Sequence, residues 1–99
     1  MRPANQHQAM QHMEHLLSRK LTGDRQTRVK EHTKRAKHIA AIIWWRFQVG
    51  PYQYQVKHLK WYLQTQTGHL KPNTRYRYWL TIKNIIYALN WESDWMGQL

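Results

Sequence analysis

Residues 56–89 read VKHLKWYLQTQTGHLKPNTRYRYWLTIKNIIYAL and contain two apolar stripes, separated by a short turn with one glycine and one proline. In both stripes the apolar side chains recur at steps of three and four, which places them on one side of an α-helix. No part of the chain shows the sustained alternation of apolar and polar residues that indicates a strand. The stretch therefore predicts two packed helices. The first stripe is Val56, Leu59 and Leu63, preceded by Tyr52 just before the stretch, and the second is Tyr78, Ile82, Ile85 and Leu89, with Ile86 beside it.

The same helical spacing continues toward the N-terminus. One stripe consists of Met10, Met13, Leu17 and Leu21, and residues 36–47 carry a broad apolar face. We therefore predict an all-α, SAM-like bundle over residues 1–99, with four helices, or five if the tail 91–99 folds back onto it. The predicted helices span 5–20, 25–48, 52–66 and 74–90, with Asp24 as N-cap of the second, Pro51 in the first turn of the third, and Asn73 or Thr74 as N-cap of the fourth.

Composition narrows the class of protein further. The chain has 99 residues and no cysteine, which excludes a disulfide scaffold, a cysteine-based zinc finger and a thiol nucleophile. Its longest apolar run, residues 39–45, is far shorter than the ~20 residues that cross a bilayer. Residues 1–8 lack the hydrophobic stretch of a signal peptide. We therefore expect a single cytoplasmic domain with no membrane partner.

The distribution of charge is more informative than its total. The chain has 16 Lys and Arg against 5 Asp and Glu, for a net charge of +11. Residues 32–91 contain ten of these cations and no carboxylate. A region of one sign destabilises its own folded state and attracts polyanions, of which nucleic acid is the commonest. This observation alone leaves two alternatives open: a basic protein without a specific partner, and a protein that binds an anionic membrane surface.

Residue types that support catalysis or cofactor binding are not arranged for either role. The five carboxylates lie toward the two ends of the chain, and no pair has a spacing that indicates a shared acid–base site. His12 and His15 are close in sequence, but Glu14 between them points elsewhere on a helix. The glycines lie too far apart for a phosphate-binding loop. We predict a non-enzymatic protein with no metal and no cofactor.

Residues 56–89 also resemble a known family. An apolar helix ends at Tyr62-Leu63, a glycine-containing turn follows, and the pattern Leu70-x-Pro72-x-Thr74-x-x-x-Tyr78 then opens a striped helix. This arrangement resembles the N-terminal core-binding domain of phage-type and integron-type tyrosine recombinases, or integrases. The resemblance implies a bundle of four or five helices that clamps one face of duplex DNA. Because the chain stops where the catalytic domain of that family would begin, we expect no strand cleavage by these residues.

The resemblance and the helical phase together define a predicted DNA-binding set. The resemblance implies that Thr74 caps a helix and touches a phosphate, that Arg75 and Arg77 face DNA, and that Tyr78 packs inward. Of the aromatic residues, Trp61 and Tyr76 are the least core-like by phase and are candidates for stacking on bases. The predicted set is Lys34, Arg35, Lys37, His38, Lys57, Lys60, Trp61, Lys71, Asn73, Thr74, Arg75 and Arg77.

The leading hypothesis from the sequence is a non-catalytic module, encoded by a bacterium or phage, that clamps duplex DNA through a basic helical face. Its expected partners are duplex DNA and either a second copy of the chain or a recombinase. Three alternatives stay open: a small helix-turn-helix-like regulator, a binder of RNA or single strands that uses exposed aromatic residues, and an adaptor whose basic face docks an acidic protein.

Overall fold

The computed structural model describes residues 2–20 and 26–99, and within them it contains helices and no strands. This confirms the predicted all-α helical bundle. The predicted N-cap Asp24 and the apolar position Leu21 lie outside the described residues. The helices are α1 (Gln6–Lys20), α2 (Gln26–Phe47), α3 (Val56–Gln66), α4 (Pro72–Ala88) and the short α5 (Glu92–Trp95), with 3₁₀ turns at Pro51–Gln53 and Met96–Gln98.

The core is built from the apolar stripes of all four long helices. The α1–α2 pair forms the most extensive helix–helix contact, and α4 packs against both of these helices. Trp95, in the C-terminal tail, is 8% exposed and belongs to the same core, so the tail folds back onto the bundle as one of the expected arrangements. The fully buried side chains include Met13, Leu17, Ile39, Ile43, Leu59, Ile82, Ile85 and Ile86.

The start of the third helix differs from the prediction. Pro51 opens a separate 3₁₀ turn, and α3 begins at Val56 rather than near residue 52. Between the two, Tyr54 has an extended backbone and a buried ring. Because residues 51–53 are not part of α3, Tyr52 does not continue its apolar stripe. The Tyr52 side chain is 42% exposed, so its assignment to the core was wrong.

The start of α4 also lies earlier than predicted. Lys71 is the N-cap residue and Pro72 is the first residue of the helix, so neither Asn73 nor Thr74 is the cap. Proline suits this position because it lacks the N–H that a helix start leaves unpaired and its φ is already helical. The same preference was readable in the sequence, and it indicates Pro72 as the true start.

Thr81 lies inside the bundle, although it is not one of the apolar stripe residues of α4. Its side chain is fully buried. Thr81 follows Tyr78 by three residues and precedes Ile85 by four, so it borders the stripe. Since α2 packs against α4, the border position becomes part of an interface, where Thr81 makes polar contacts with α2.

Candidate nucleic-acid interface

Most cations of the carboxylate-free region reach solvent. Of the ten Lys and Arg between residues 32 and 91, eight are exposed and two, Arg35 and Lys37, are half-buried. Among the side chains that the structure describes, the ion pair that forms is Lys37 with Glu14, at 2.9 Å. The positive charge of this region is therefore largely unneutralised by the protein itself.

The predicted α2 residues divide among three sides of the helix. Lys37 turns toward α1, where Glu14 lies, and Arg35 turns toward α4, where it meets Thr81. Lys34 and His38 are exposed on the outer side between them. The structure therefore does not gather these four residues on one surface, and Lys37 is the member whose charge is compensated.

A polar network fixes Arg35 at the contact between α2 and α4. Its Nε donates to the Thr81 Oγ1 at 2.9 Å, and its Nη2 lies 3.3 Å from His32 Nδ1. The His32 Nδ1 is in turn 2.9 Å from the Thr81 Oγ1. The Thr81 oxygen accepts from Arg35 Nε, and its single hydroxyl proton has two neighbouring acceptors, the His32 Nδ1 and the Arg77 carbonyl oxygen at 3.1 Å, while Arg35 Nη2 donates to the His32 Nδ1. In that arrangement the Arg35 guanidinium is positioned without losing its charge.

His32 and Thr81 are thus the two positioning residues that sequence reasoning missed. Neither residue belongs to the predicted DNA-binding set. The contacts join positions 49 and 46 residues apart along the chain, so helical periodicity within one segment carries no signal of them. The one sequence feature that could have indicated the burial of Thr81 is its position at the border of an apolar stripe.

The beginning of α4 forms a second part of the candidate interface. Lys71, Pro72, Asn73, Thr74 and Arg77 line an open hollow of about 450 Å³. In the first turn of a helix the N–H groups have no carbonyl partner within the helix, and the helix dipole makes this end positive. The predicted residues Lys71, Asn73, Thr74 and Arg77 are thus brought together by the structure.

Arg77 links this hollow to Arg35. Thr81 lies one turn after Arg77 on α4, and its hydroxyl also lies 3.1 Å from the Arg77 carbonyl oxygen. Arg77 therefore shares the side of α4 that faces Arg35, and its side chain is exposed. We call Arg35, Lys71, Asn73, Thr74 and Arg77 the α2–α4 basic surface.

Arg75 does not belong to this surface. Residues two apart in an α-helix point about 200° away from each other around the axis. Arg75 is exposed, but it projects from the other side of α4 than Arg77. The two arginines that the resemblance assigns to DNA therefore cannot lie side by side on the same groove.

Helix α3 contributes two cations and an aromatic residue. Lys57 and Lys60 are exposed and three residues apart, which places them on one side of α3. Trp61 is only partly accessible, because it packs against the core with its ring edge-on to Phe47 at 5.3 Å. Of the two candidates for stacking, Trp61 is therefore partly buried, whereas Tyr76 is 60% exposed.

The titratable groups whose pKa is displaced lie in the core and not in a cleft. Burial raises the pKa of the Tyr54 and Tyr62 phenols well above the ordinary value. Burial, with a smaller contribution from Lys57, lowers the pKa of His58. His58 Nδ1 accepts the Gln55 backbone N–H at 2.9 Å at the start of α3. These side chains therefore act in packing and capping.

Other kinds of site find little support in the described part of the chain. Among the side chains that the structure describes, no three His, Asp or Glu come close enough to hold a metal ion. Over residues 2–20 and 26–99, no helix has the length and apolarity to span a membrane. A comparison of the chain with protein-family models, curated proteins and solved structures finds no match.

Proposed function

We propose that this protein is a non-catalytic module that binds duplex DNA, with the α2–α4 basic surface against the sugar–phosphate backbone. The observation that carries the proposal is the set of eight exposed cations in sixty residues without a carboxylate. Exposed cations of one sign repel each other, and a polyphosphate relieves that repulsion while releasing its own counterions. The resemblance to the integrase core-binding domain agrees with this role.

The geometry suggests how a phosphate binds. Asn73 and Thr74 line the hollow, and their N–H groups have no carbonyl partner within the helix because they belong to the first turn of α4; Lys71 and Arg77 supply charge at the same hollow. Arg35 stands near Arg77 and is held by Thr81. Because a guanidinium presents paired donors, Arg77 suits a bidentate contact with a phosphate or with a guanine edge.

The test is a titration of a labelled duplex of roughly two helical turns, about 20 base pairs, followed by fluorescence anisotropy at several salt concentrations. If half of the eight exposed cations meet phosphates, log affinity falls with log salt at a slope of about −3.6. A slope near zero would rule out the electrostatic mechanism, and a clear preference for RNA or single strands would replace duplex DNA as the ligand.

Helix α4 offers a matched pair of variants. We expect Arg77→Ala to weaken binding and to reduce the salt slope by about one phosphate contact. Arg75→Ala removes the same charge from the other side of the helix and should have the smaller effect. Equal losses, or a larger loss for Arg75→Ala, would show that DNA does not bind to the α2–α4 basic surface.

A footprint distinguishes this module from a helix-turn-helix-like regulator. A dimeric regulator protects two half-sites about one helical turn apart, whereas a single clamping module protects one continuous site.

A further inference from the structure

Helix α4 carries a second exposed surface, distinct from the α2–α4 basic surface. Tyr76 and Tyr87 are 60% and 51% exposed, although they are large side chains that the core could have buried. Lys83 between them is exposed and Leu80 is half-buried. We call Tyr76, Leu80, Lys83 and Tyr87 the aromatic face of α4.

The spacing of these residues places them in one line. They stand at steps of four, three and four, so they follow the same side of the helix for three turns. Tyr76 and Tyr87 are eleven residues apart, which corresponds to about 16 Å along the axis. The buried residues of α4, among them Ile82 and Ile85, point away from this line into the bundle.

The charges around the aromatic face indicate what covers it. Arg77 follows Tyr76 directly, Lys83 lies between the tyrosines, and α4 itself carries no carboxylate. A second copy of the chain packed through a two-fold axis would bring like cations together. An anionic ligand with flat rings meets both features, because cations attract its phosphates and the phenol rings stack on its bases. The exposed Asn73 and half-buried Asn84 add amides that can hydrogen-bond base edges.

We infer that the aromatic face of α4 binds an unpaired strand that continues from the duplex held by the α2–α4 basic surface. This inference rests on the proposed function, since Arg77 borders both surfaces. At 3.4 Å per stacked nucleotide, the distance of about 16 Å between the tyrosines accommodates about five nucleotides. The preferred ligand is then a duplex with a single-stranded extension rather than a blunt duplex.

The test compares a blunt duplex with the same duplex carrying an overhang of about five nucleotides, with 2-aminopurine in the overhang to report stacking. We expect the tailed duplex to bind at least about five-fold more tightly, the low end of the effect of one stacked base. Tyr76→Ala and Tyr87→Ala should remove this gain and leave blunt-duplex affinity nearly unchanged. Tyr76→Phe should retain the gain, because the ring remains.

Tyr52→Ala is the matched control, since Tyr52 is 42% exposed but lies outside α4. Equal affinity for blunt and tailed duplexes, or a gain that survives both tyrosine-to-alanine changes, would overturn the inference. Concentration-dependent dimerisation of the free protein that Tyr76→Ala abolishes would also overturn it. The blunt-duplex salt slope tests the proposed function separately. If blunt duplex fails to bind while a single strand binds through the tyrosines, the duplex proposal and the continuation from a duplex are overturned, and strand binding by the aromatic face stands.

Discussion

Replacing Thr81 by valine tests whether its hydroxyl fastens Arg35 to α4. Thr81 is fully buried, and valine has nearly the same shape, so packing around the site changes little. The change removes the acceptor of the Arg35 Nε at 2.9 Å and the partner of His32 Nδ1 at 2.9 Å. The expected loss of stability therefore comes from the missing hydrogen bonds and not from a change in side-chain volume.

The expected cost follows from the burial of the partners. A hydrogen bond to a charged group contributes about 1.5–3 kcal/mol. Since Arg35 is half-exposed, water replaces part of this contribution, and we expect Thr81→Val to lower the free energy of unfolding by about 1–2 kcal/mol. For a domain of this size the melting temperature then falls by about 4–16 °C.

The assay is urea and thermal unfolding followed by far-UV circular dichroism, with a double-mutant cycle. In an Arg35→Met background, Thr81→Val should cost less by about 1 kcal/mol, because the shared hydrogen bond is already absent. Thr65→Val serves as the control, since the exposed Thr65 hydroxyl bonds within α3 to the Trp61 carbonyl oxygen. A neutral Thr81→Val, or a cost that Arg35→Met leaves unchanged, would refute the fastening of α2 to α4 by this bond.

Two further predictions concern the folded state. His58 is buried with a lowered pKa, so between about pH 6.5 and its folded value the unfolded chain binds the extra proton, and stability is full above about pH 6.5 and decreases as the pH falls. His58→Gln keeps an acceptor for the Gln55 N–H but does not titrate. Between about pH 7.5 and about pH 5, the urea midpoint of this variant should therefore decrease less than that of the unsubstituted protein. An equally steep decrease in both proteins would show that His58 does not cause the loss of stability. Gly50→Ala would place a Cβ 2.6 Å from the Cδ of Pro3, so we expect the free energy of unfolding in urea to fall by about 1–3 kcal/mol. In the control Gly97→Ala, the new Cβ meets nothing within 4 Å, and stability should not change. Equal stabilities of the two variants would show that the chain around Pro3 moves aside at no cost.

The local sequence was sufficient to predict the helical class and much of the core. Stripes at steps of three and four predict helices in any tertiary setting, because an isolated helix already lines up these side chains. Ile82, Ile85, Leu59 and Met13 were assigned to the core on this basis and are fully buried. The absence of carboxylates from residues 32–91 was likewise visible without a structure.

Helix starts were predicted less well, because they depend on single residues and their tertiary partners. Tyr54 has an extended backbone and a buried ring between two helical segments, and helical geometry resumes at Val56. The start of α4 at Pro72 was within reach of sequence reasoning. The prediction placed the N-cap at Asn73 or Thr74 because it gave the capping preference of their side chains more weight than the position of Pro72.

The sequence alone determined that this protein is helical, strongly basic and free of carboxylates over its central sixty residues, because periodicity and charge are properties of the chain itself. Only the tertiary structure decided which cations act together. Lys37 pairs with Glu14 on α1, Arg35 is fixed by Thr81 on α4, and Arg77 rather than Arg75 lies on the side of α4 that carries Thr81. Each of these outcomes depends on which sides of two helices meet, and that is set by packing between segments far apart in the chain.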